Sequence, residues 1–359
     1  MLDLGPIVTD PGRFRRTVQE GAPYRPLYVK IKITWACNLR CQMCNVWRQD
    51  REDRLTLPLL RALAAELAVL GTRKIHLSGG EVLLRPDLFE IVAAFAAQGM
   101  QVNLTTNGTL LTPERAASLV ESGIRNVSVS LDGATPAVHD DLRGKGHWKR
   151  TLRGIRNLRR AAKHARRKVH IRINTVITRR NFRGLAQLPE IAFHAGADRL
   201  TLIHVDDPTG RLRLNKARIR EYNQEIAPFL ADRALAHGMI RRVGEAYPFG
   251  REKGEWELSK QGLYARGLYR VQPCYMPWLH AMIDPKGKVY PCCTLRSGPP
   301  VGNLVKAGGF EAVWRGAAFR QVRQGMIGGP RPAPCHTCDD FLEENRFLHR
   351  VVQPKQGIS

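Results

Sequence analysis

The sequence predicts an α/β fold, a partial (β/α)6 barrel followed by a small C-terminal module organised around cysteines. Three observations predict it. Across residues 27–203, apolar runs of strand length alternate with amphipathic runs of helix length, the pattern of a parallel sheet covered by helices. Glycine-rich or polar clusters follow the first four strand runs, at the edge where such sheets bind ligands. Beyond the sixth strand the alternation stops, and five of the eight cysteines lie in this C-terminal part of the chain.

Residues 1–26 show no clear periodicity and read as a lead-in. The first strand, 27–34, runs into Cys37, Cys41 and Cys44. Three thiolates on one short loop hold three corners of a cubane iron–sulfur cluster, which ordinarily takes four cysteines. Residues 45–273 contain no cysteine, so the fourth iron is left to a ligand that is not protein. The other readings are a zinc site, with His76 as the nearest downstream histidine, and plain structural thiols. A helix over 57–70 is capped by Thr56 and stopped by Gly71. The second strand, 74–77, meets Ser78-Gly79-Gly80-Glu81, where paired glycines let backbone approach a ligand. Helix 87–98 and strand 101–105 lead to Thr106-Asn107-Gly108. Thr112 caps helix 113–121, with Pro113 at its first position. Strand 126–130 ends at Ser130, followed by Leu131-Asp132-Gly133. A basic helix over 148–165, a strand over 170–178, a helix over 183–195 and a strand over 198–203 complete six units. A helix over 219–237 and an aperiodic stretch over 238–272 bridge to the second module.

In that module, Cys274 and Cys292 flank a predicted hairpin whose turn is Asp284-Pro-Lys-Gly287, so its closure brings the two thiols together. Cys335-His-Thr-Cys338 adds a knuckle. Four thiols then converge on a second metal centre, a cluster or a zinc ribbon. Cys293 is left over, as an alternative ligand, a buried bystander or a hydrogen donor to a substrate radical.

The triad Cys37-x3-Cys41-x2-Cys44 after a first strand, followed by Gly79-Gly80-Glu81, resembles the signature of the radical S-adenosylmethionine enzymes. The resemblance implies a 4Fe-4S cluster on those three cysteines. Its open iron chelates S-adenosyl-L-methionine, which is cleaved to a 5′-deoxyadenosyl radical that abstracts hydrogen. It further implies that Gly79, Gly80 and Glu81 receive the amino group of the methionine moiety, although Val82 stands where the family has proline. Asn107, Ser130 and Asp132 line the same floor, Arg143 in His139-Asp-Asp-Leu-Arg143-Gly pairs with a carboxylate, and Met43 packs on the adenine. Cys274-x17-Cys292 with Cys335-x2-Cys338 is similar to the Twitch module, the shortened SPASM form. It implies one auxiliary 4Fe-4S cluster on those four residues, since position 344 is Glu where the full form has cysteine. The implied partition is a barrel core over 27–215, a bridge over 216–273 and an auxiliary-cluster module over 274–359.

By the same resemblance the chain is expected to be an oxidoreductase that oxidises or epimerises a small polar metabolite such as a sugar or aminocyclitol, with Cys293 as candidate catalytic donor. The alternative within the family is a maturase that modifies a ribosomally made peptide. An electron donor such as flavodoxin or ferredoxin is the expected protein partner. From another class, the chain reads as a zinc-bearing, basic nucleic-acid-binding protein. Its formal charge of +25 attracts anions, and residues 149–168 alone hold ten Lys and Arg. No aromatics are interleaved there as a base-stacking surface requires, so a solvated helix face is expected and nucleic acid is not. Hydrophobic content of 43% is that of a globular protein. No run reaches the roughly eighteen apolar residues of a membrane span, and the first residues lack the order of a signal peptide, so a cytoplasmic location is expected.

Overall fold

The computed structural model describes residues 2–49, 52–207 and 209–353. Strands β1 (Tyr28–Thr34), β2 (Lys74–Gly79), β3 (Gln101–Thr106), β4 (Asn126–Ser130), β5 (His170–Ile177) and β6 (Arg199–His204) pair in parallel in sequence order. β7 (His280–Ile283) pairs in parallel with β1, and β8 (Lys288–Tyr290) and β9 (Gly302–Asn303) continue the sheet antiparallel. The order is therefore β6-β5-β4-β3-β2-β1-β7-β8-β9, and the hairpin that carries Cys274 and Cys292 at its ends extends the same sheet.

β1 shows why the sheet forms as it does. Val29, Ile31 and Ile33 are fully buried against the helical layer that includes Leu60, Leu63 and Leu67. Each such side chain contributes about 1.5–3 kcal/mol on burial. The alternate residues Tyr28, Lys30, Lys32 and Thr34 point to the opposite, concave face. Tyr28 stacks on His280 of β7 with ring centroids 4.7 Å apart.

Three expectations need correction. The lead-in is helical, with Pro11–Gln19 capped by the Asp10 side chain; Phe14 and Val18 are buried with Tyr275, Trp278 and Leu348, so chain start and chain end share a second core. Its periodicity was hidden because only two of its nine residues, four apart, are large and apolar. The helix expected over 219–237 is broken into Lys216–Glu221, a π-helical turn over Tyr222–Ile226, and Ala227–Ala236. Pro228 explains the wide turn, since it lacks an N–H and its ring crowds the carbonyl four residues back. The unit expected as one helix over 183–195 opens with a 3-10 segment, Phe182–Gln187, and becomes α-helical at Leu188–Ala195, where Pro189 sits in the first turn. Residues 354–359 of the expected C-terminal module lie outside the described residues.

Candidate active site

The cysteine loop is anchored at both ends. At its start, the Thr34 hydroxyl donates to Asp53 at 2.5 Å, the Trp35 N–H donates to the same carboxylate at 3.1 Å, and the Ala36 N–H donates to the Thr34 hydroxyl. From the opposite side, the segment after β4 grips it. Gln42 N–H donates to Leu142 O at 3.0 Å, and the Arg143 guanidinium lies 3.7 Å from Cys41 Sγ while its Nε pairs with Asp132 at 2.5 Å. Backbone N–H groups of Leu39 and Val46 donate to the sulfurs of Cys37 and Cys44, both at 3.4 Å. Such donors, with a neighbouring cation, stabilise sulfur as thiolate and set a cluster's potential.

Gly79 and Gly80 act chiefly through their size. β2 crosses the start of the cysteine loop so closely that a Cβ at Gly79 would lie 2.1 Å from Thr34 O, and one at Gly80 would lie 2.0 Å from Ala36 O. Their neighbours tie down this crossing: Gly80 N–H donates to Thr34 O and Glu81 N–H to Ala36 O, each at 2.8 Å. The Glu81 carboxylate is buried and accepts from the Thr106 hydroxyl at 2.6 Å, Asn107 N–H at 2.7 Å and Leu83 N–H at 3.1 Å. Burial raises its pKa, and these donors counteract the rise. Asn107 in turn donates to Asn38 on the cysteine loop at 2.9 Å.

These elements surround a cavity of about 730 Å³ at the carboxyl ends of the strands. The structure brings Cys37, Cys41, Met43, Cys44, Gly79, Gly80, Glu81, Asn107, Ser130 and Arg143 to its wall. It does not bring Asp132 there. That side chain is fully buried, accepting from Arg143 and from Val176 N–H at 2.8 Å, so it braces the floor from behind. Arg143 is on the wall, with its Nε committed to Asp132. His76 bonds Thr105 at 2.8 Å and is held neutral by burial. Removing the Arg143 charge would strand the Asp132 carboxylate. Arg143→Met is expected to cost about 3–5 kcal/mol in denaturant unfolding of the apo-protein, and Arg143→Lys, which keeps the charge, markedly less.

In the second group, Cys274, Cys292, Cys335 and Cys338 are electrostatic neighbours. Burial, reinforced by the other thiols, pushes Cys274 well up and Cys292 to about 12; burial pushes Cys338 to about 12 and Cys335 upward. In the first group burial pushes Cys41 to about 11 and raises Cys37. Thiols held this high become ligands when a metal supplies the compensating charge. Among the described residues no three His, Cys, Asp or Glu side chains stand close enough to share a single ion. A cubane gives each thiolate its own iron and asks for no such convergence. Both donor sets, three thiols on an open loop and four around a hairpin, fit clusters. Cys293 is not among the residues that line the cavity, and its sulfur beside Lys30 raises the pKa of that ammonium.

Several site residues were missed from sequence. His204, at the end of β6, lines the cavity, stacks on Tyr264 with centroids 3.5 Å apart, and bonds Asp339 at 3.0 Å and Pro248 O at 2.7 Å. Lys32 also lines the cavity. The signal for it was present: two lysines at alternate positions of a strand whose other positions are Val, Ile and Ile.

The profile of the Radical SAM superfamily matches residues 31–184, and that of an iron-sulfur cluster-binding domain, SPASM, matches residues 274–339. The chain is 30% identical to Mycofactocin maturase MftC of Mycolicibacterium smegmatis, over 88% of this chain and 76% of that protein. It is 30% identical to the AdoMet-dependent heme synthase of Methanosarcina barkeri, over 90% and 96% respectively, and 28% identical to PqqA peptide cyclase of Streptomyces rochei, over 88% and 82%. Among solved structures it shares its fold with Streptococcus suis SuiB bound to S-adenosylmethionine, at TM-score 0.65 and 15% identity over 86% of this chain and 70% of that one. It also does so with anSMEcpe with bound AdoMet, at TM-score 0.62 and 16% identity over 91% and 97%. No helix among the described residues is long and apolar enough to cross a membrane.

Proposed function

The chain belongs to the radical SAM superfamily, with S-adenosyl-L-methionine and iron–sulfur clusters as its cofactors, and from that premise we propose that it is a maturase that modifies a peptide. The observation that carries this reading is that relatives spanning most of its length, MftC and PqqA peptide cyclase, are named for work on a maturation product or a peptide. The expected sugar or aminocyclitol substrate gives way to the peptide alternative on this ground, and the zinc-bearing nucleic-acid-binding reading falls with family membership.

In this reading Cys37, Cys41 and Cys44 hold the first cluster, and Cys274, Cys292, Cys335 and Cys338 hold one auxiliary cluster. Bound there, the coenzyme and the reduced first cluster supply one-electron chemistry that removes a hydrogen atom from an unactivated carbon. The chain's own residues do the rest. Gly79 and Gly80 let β2 pass against the cysteine loop, and Glu81 and Asn107 lock that crossing. Met43 and Ser130 offer an apolar and a polar wall contact to the coenzyme. Arg143 places a cation against Cys41. A cavity of about 730 Å³ is of small-ligand size, about 300–1,000 Å³, so it admits the coenzyme with one segment of a peptide. A soluble electron donor such as a flavodoxin or ferredoxin would supply the reducing electron.

Cys293 is assigned outside the ligand set, because Cys274, Cys292, Cys335 and Cys338 already supply the four thiols of an auxiliary cluster. Cys293→Ala is therefore expected to keep about eight irons per chain, the content of two 4Fe-4S clusters; a drop to about four would make it a ligand. If it is a hydrogen donor, the same variant abstracts hydrogen once and stops before product.

The test of the main reading is mass spectrometry of a short peptide encoded beside the gene, incubated with anaerobic, cluster-loaded protein, S-adenosyl-L-methionine and reductant. A mass change in the peptide that needs all three supports the reading. An unmodified peptide, with coenzyme cleavage stimulated instead by a haem precursor, would move the assignment to the second reading, favoured by the heme synthase that matches over 96% of its length.

A further inference from the structure

Among the described residues the cavity wall carries five cationic side chains, Lys32, Arg143, Lys286, Lys288 and Arg296, against three carboxylates, Glu81, Asp206 and Asp284. The carboxylates are committed. Glu81 accepts three internal hydrogen bonds, Asp284 accepts the N–H groups of Lys286 and Lys288, and Asp206 faces Arg296 at 3.6 Å. Among the described residues Lys32 is the buried cation of this wall that no carboxylate pairs. It is only 8% exposed, on the concave face of β1, and its one specific contact among the described residues is the face of Trp35, 4.9 Å from the ammonium. Burial and the nearby Arg296 push its pKa down to about 8. The Cys293 and Cys44 sulfurs oppose that fall only in part, and a buried ammonium with no carboxylate partner is costly and is expected to be kept for a ligand. Arg296, half-exposed and held loosely by Asp206, stands at the same cavity as a second cation.

We propose that Lys32, with Arg296, forms a subsite for a carboxylate carried by the substrate, so that the segment presented to the coenzyme is acidic. This deepens the peptide reading and rests on it for the identity of the molecule that carries the carboxylate. The subsite itself rests on the cavity alone. Neither Lys32 nor Arg296 belongs to the residues assigned above to the clusters or the coenzyme.

The test uses protein loaded anaerobically with both clusters and saturated with S-adenosyl-L-methionine, titrated calorimetrically with glutarate and with its uncharged counterpart glutaramide. Glutarate is expected to bind about tenfold tighter or more, the difference between a charge-assisted and a neutral pair. Lys32→Met is expected to abolish that preference, Lys32→Arg to retain it, and Arg296→Gln to weaken it. Coenzyme affinity and iron content should stay as in the wild type, and the melting temperature of Lys32→Met should not fall, since a costly buried charge is removed. Equal affinities for the two probes in the wild type, or a preference that survives Lys32→Met, overturn the proposal. So does a loss of coenzyme affinity or iron in Lys32→Met, which would assign the ammonium to the coenzyme or the cluster. If that variant does not fold, the wild-type comparison and Arg296→Gln decide. Because neither probe is a peptide, a positive result stands even if the peptide reading fails.

Discussion

Cys41→Ala is expected to halve the iron of the anaerobically loaded protein, from about eight to about four per chain, and to reduce cleavage of S-adenosyl-L-methionine to background. Cys41 is the most enclosed of the first three thiols and the one that faces a guanidinium, Arg143 at 3.7 Å. With only two thiolates left on the loop, the first cluster loses the corner that this cation stabilises. The auxiliary group is made by other elements, the β7–β8 hairpin and the Cys335-x2-Cys338 knuckle, so its iron should remain. The separation of the two effects is the informative part. Full iron with coenzyme cleavage intact would mean that Cys41 is not a ligand, and loss of all iron would mean that the two groups do not load independently.

The second large effect comes from a single methyl group. Gly80→Ala would place a Cβ 2.0 Å from Ala36 O and 2.6 Å from its carbonyl carbon, and 2.8 Å from Trp35 O. All three are backbone atoms, so no side chain can swing away, and the crossing of β2 over the cysteine loop must open. Overpacking typically costs about 1–3 kcal/mol, and rigid neighbours place this case at or above the upper end. The displaced segment leads directly into Cys37, so iron loading of the first site should fall with the melting temperature. Gly254→Ala is the control, since nothing lies within 4 Å of its Cβ position. An unchanged melting temperature and full iron in Gly80→Ala would show that the loop does not depend on this contact.

Much of the fold was legible because parallel α/β units write their register locally. Val29, Ile31 and Ile33 must alternate with their neighbours if one face of β1 is to meet helices, and each strand run ends where polar residues gather. The same locality exposed the cysteines, whose spacing is a property of one loop or one hairpin. Less legible was what the polar residues do. Asp132 was expected on the binding floor by resemblance, yet in the fold it is buried behind the wall against Arg143, which reaches Cys41 from 102 residues away. Glu81 likewise spends its hydrogen bonds on Thr106, Asn107 and Leu83. The lead-in helix Pro11–Gln19 was missed because its apolar residues find partners such as Tyr275 and Leu348, far along the chain.

By itself the sequence determined the chemistry: three thiols followed by a long stretch without a fourth, a second set of four, and the strand–helix alternation that sets the first group on a carboxyl edge. Only the tertiary structure decided which charges are spoken for. A side chain's hydrogen bonds and counter-charges come from whichever elements pack against it, and in a sheet that places β7 beside β1 those elements lie hundreds of residues apart. That is why Lys32, inconspicuous in a strand pattern, stands in the folded chain as a buried cation facing the cavity with no carboxylate partner among the described residues.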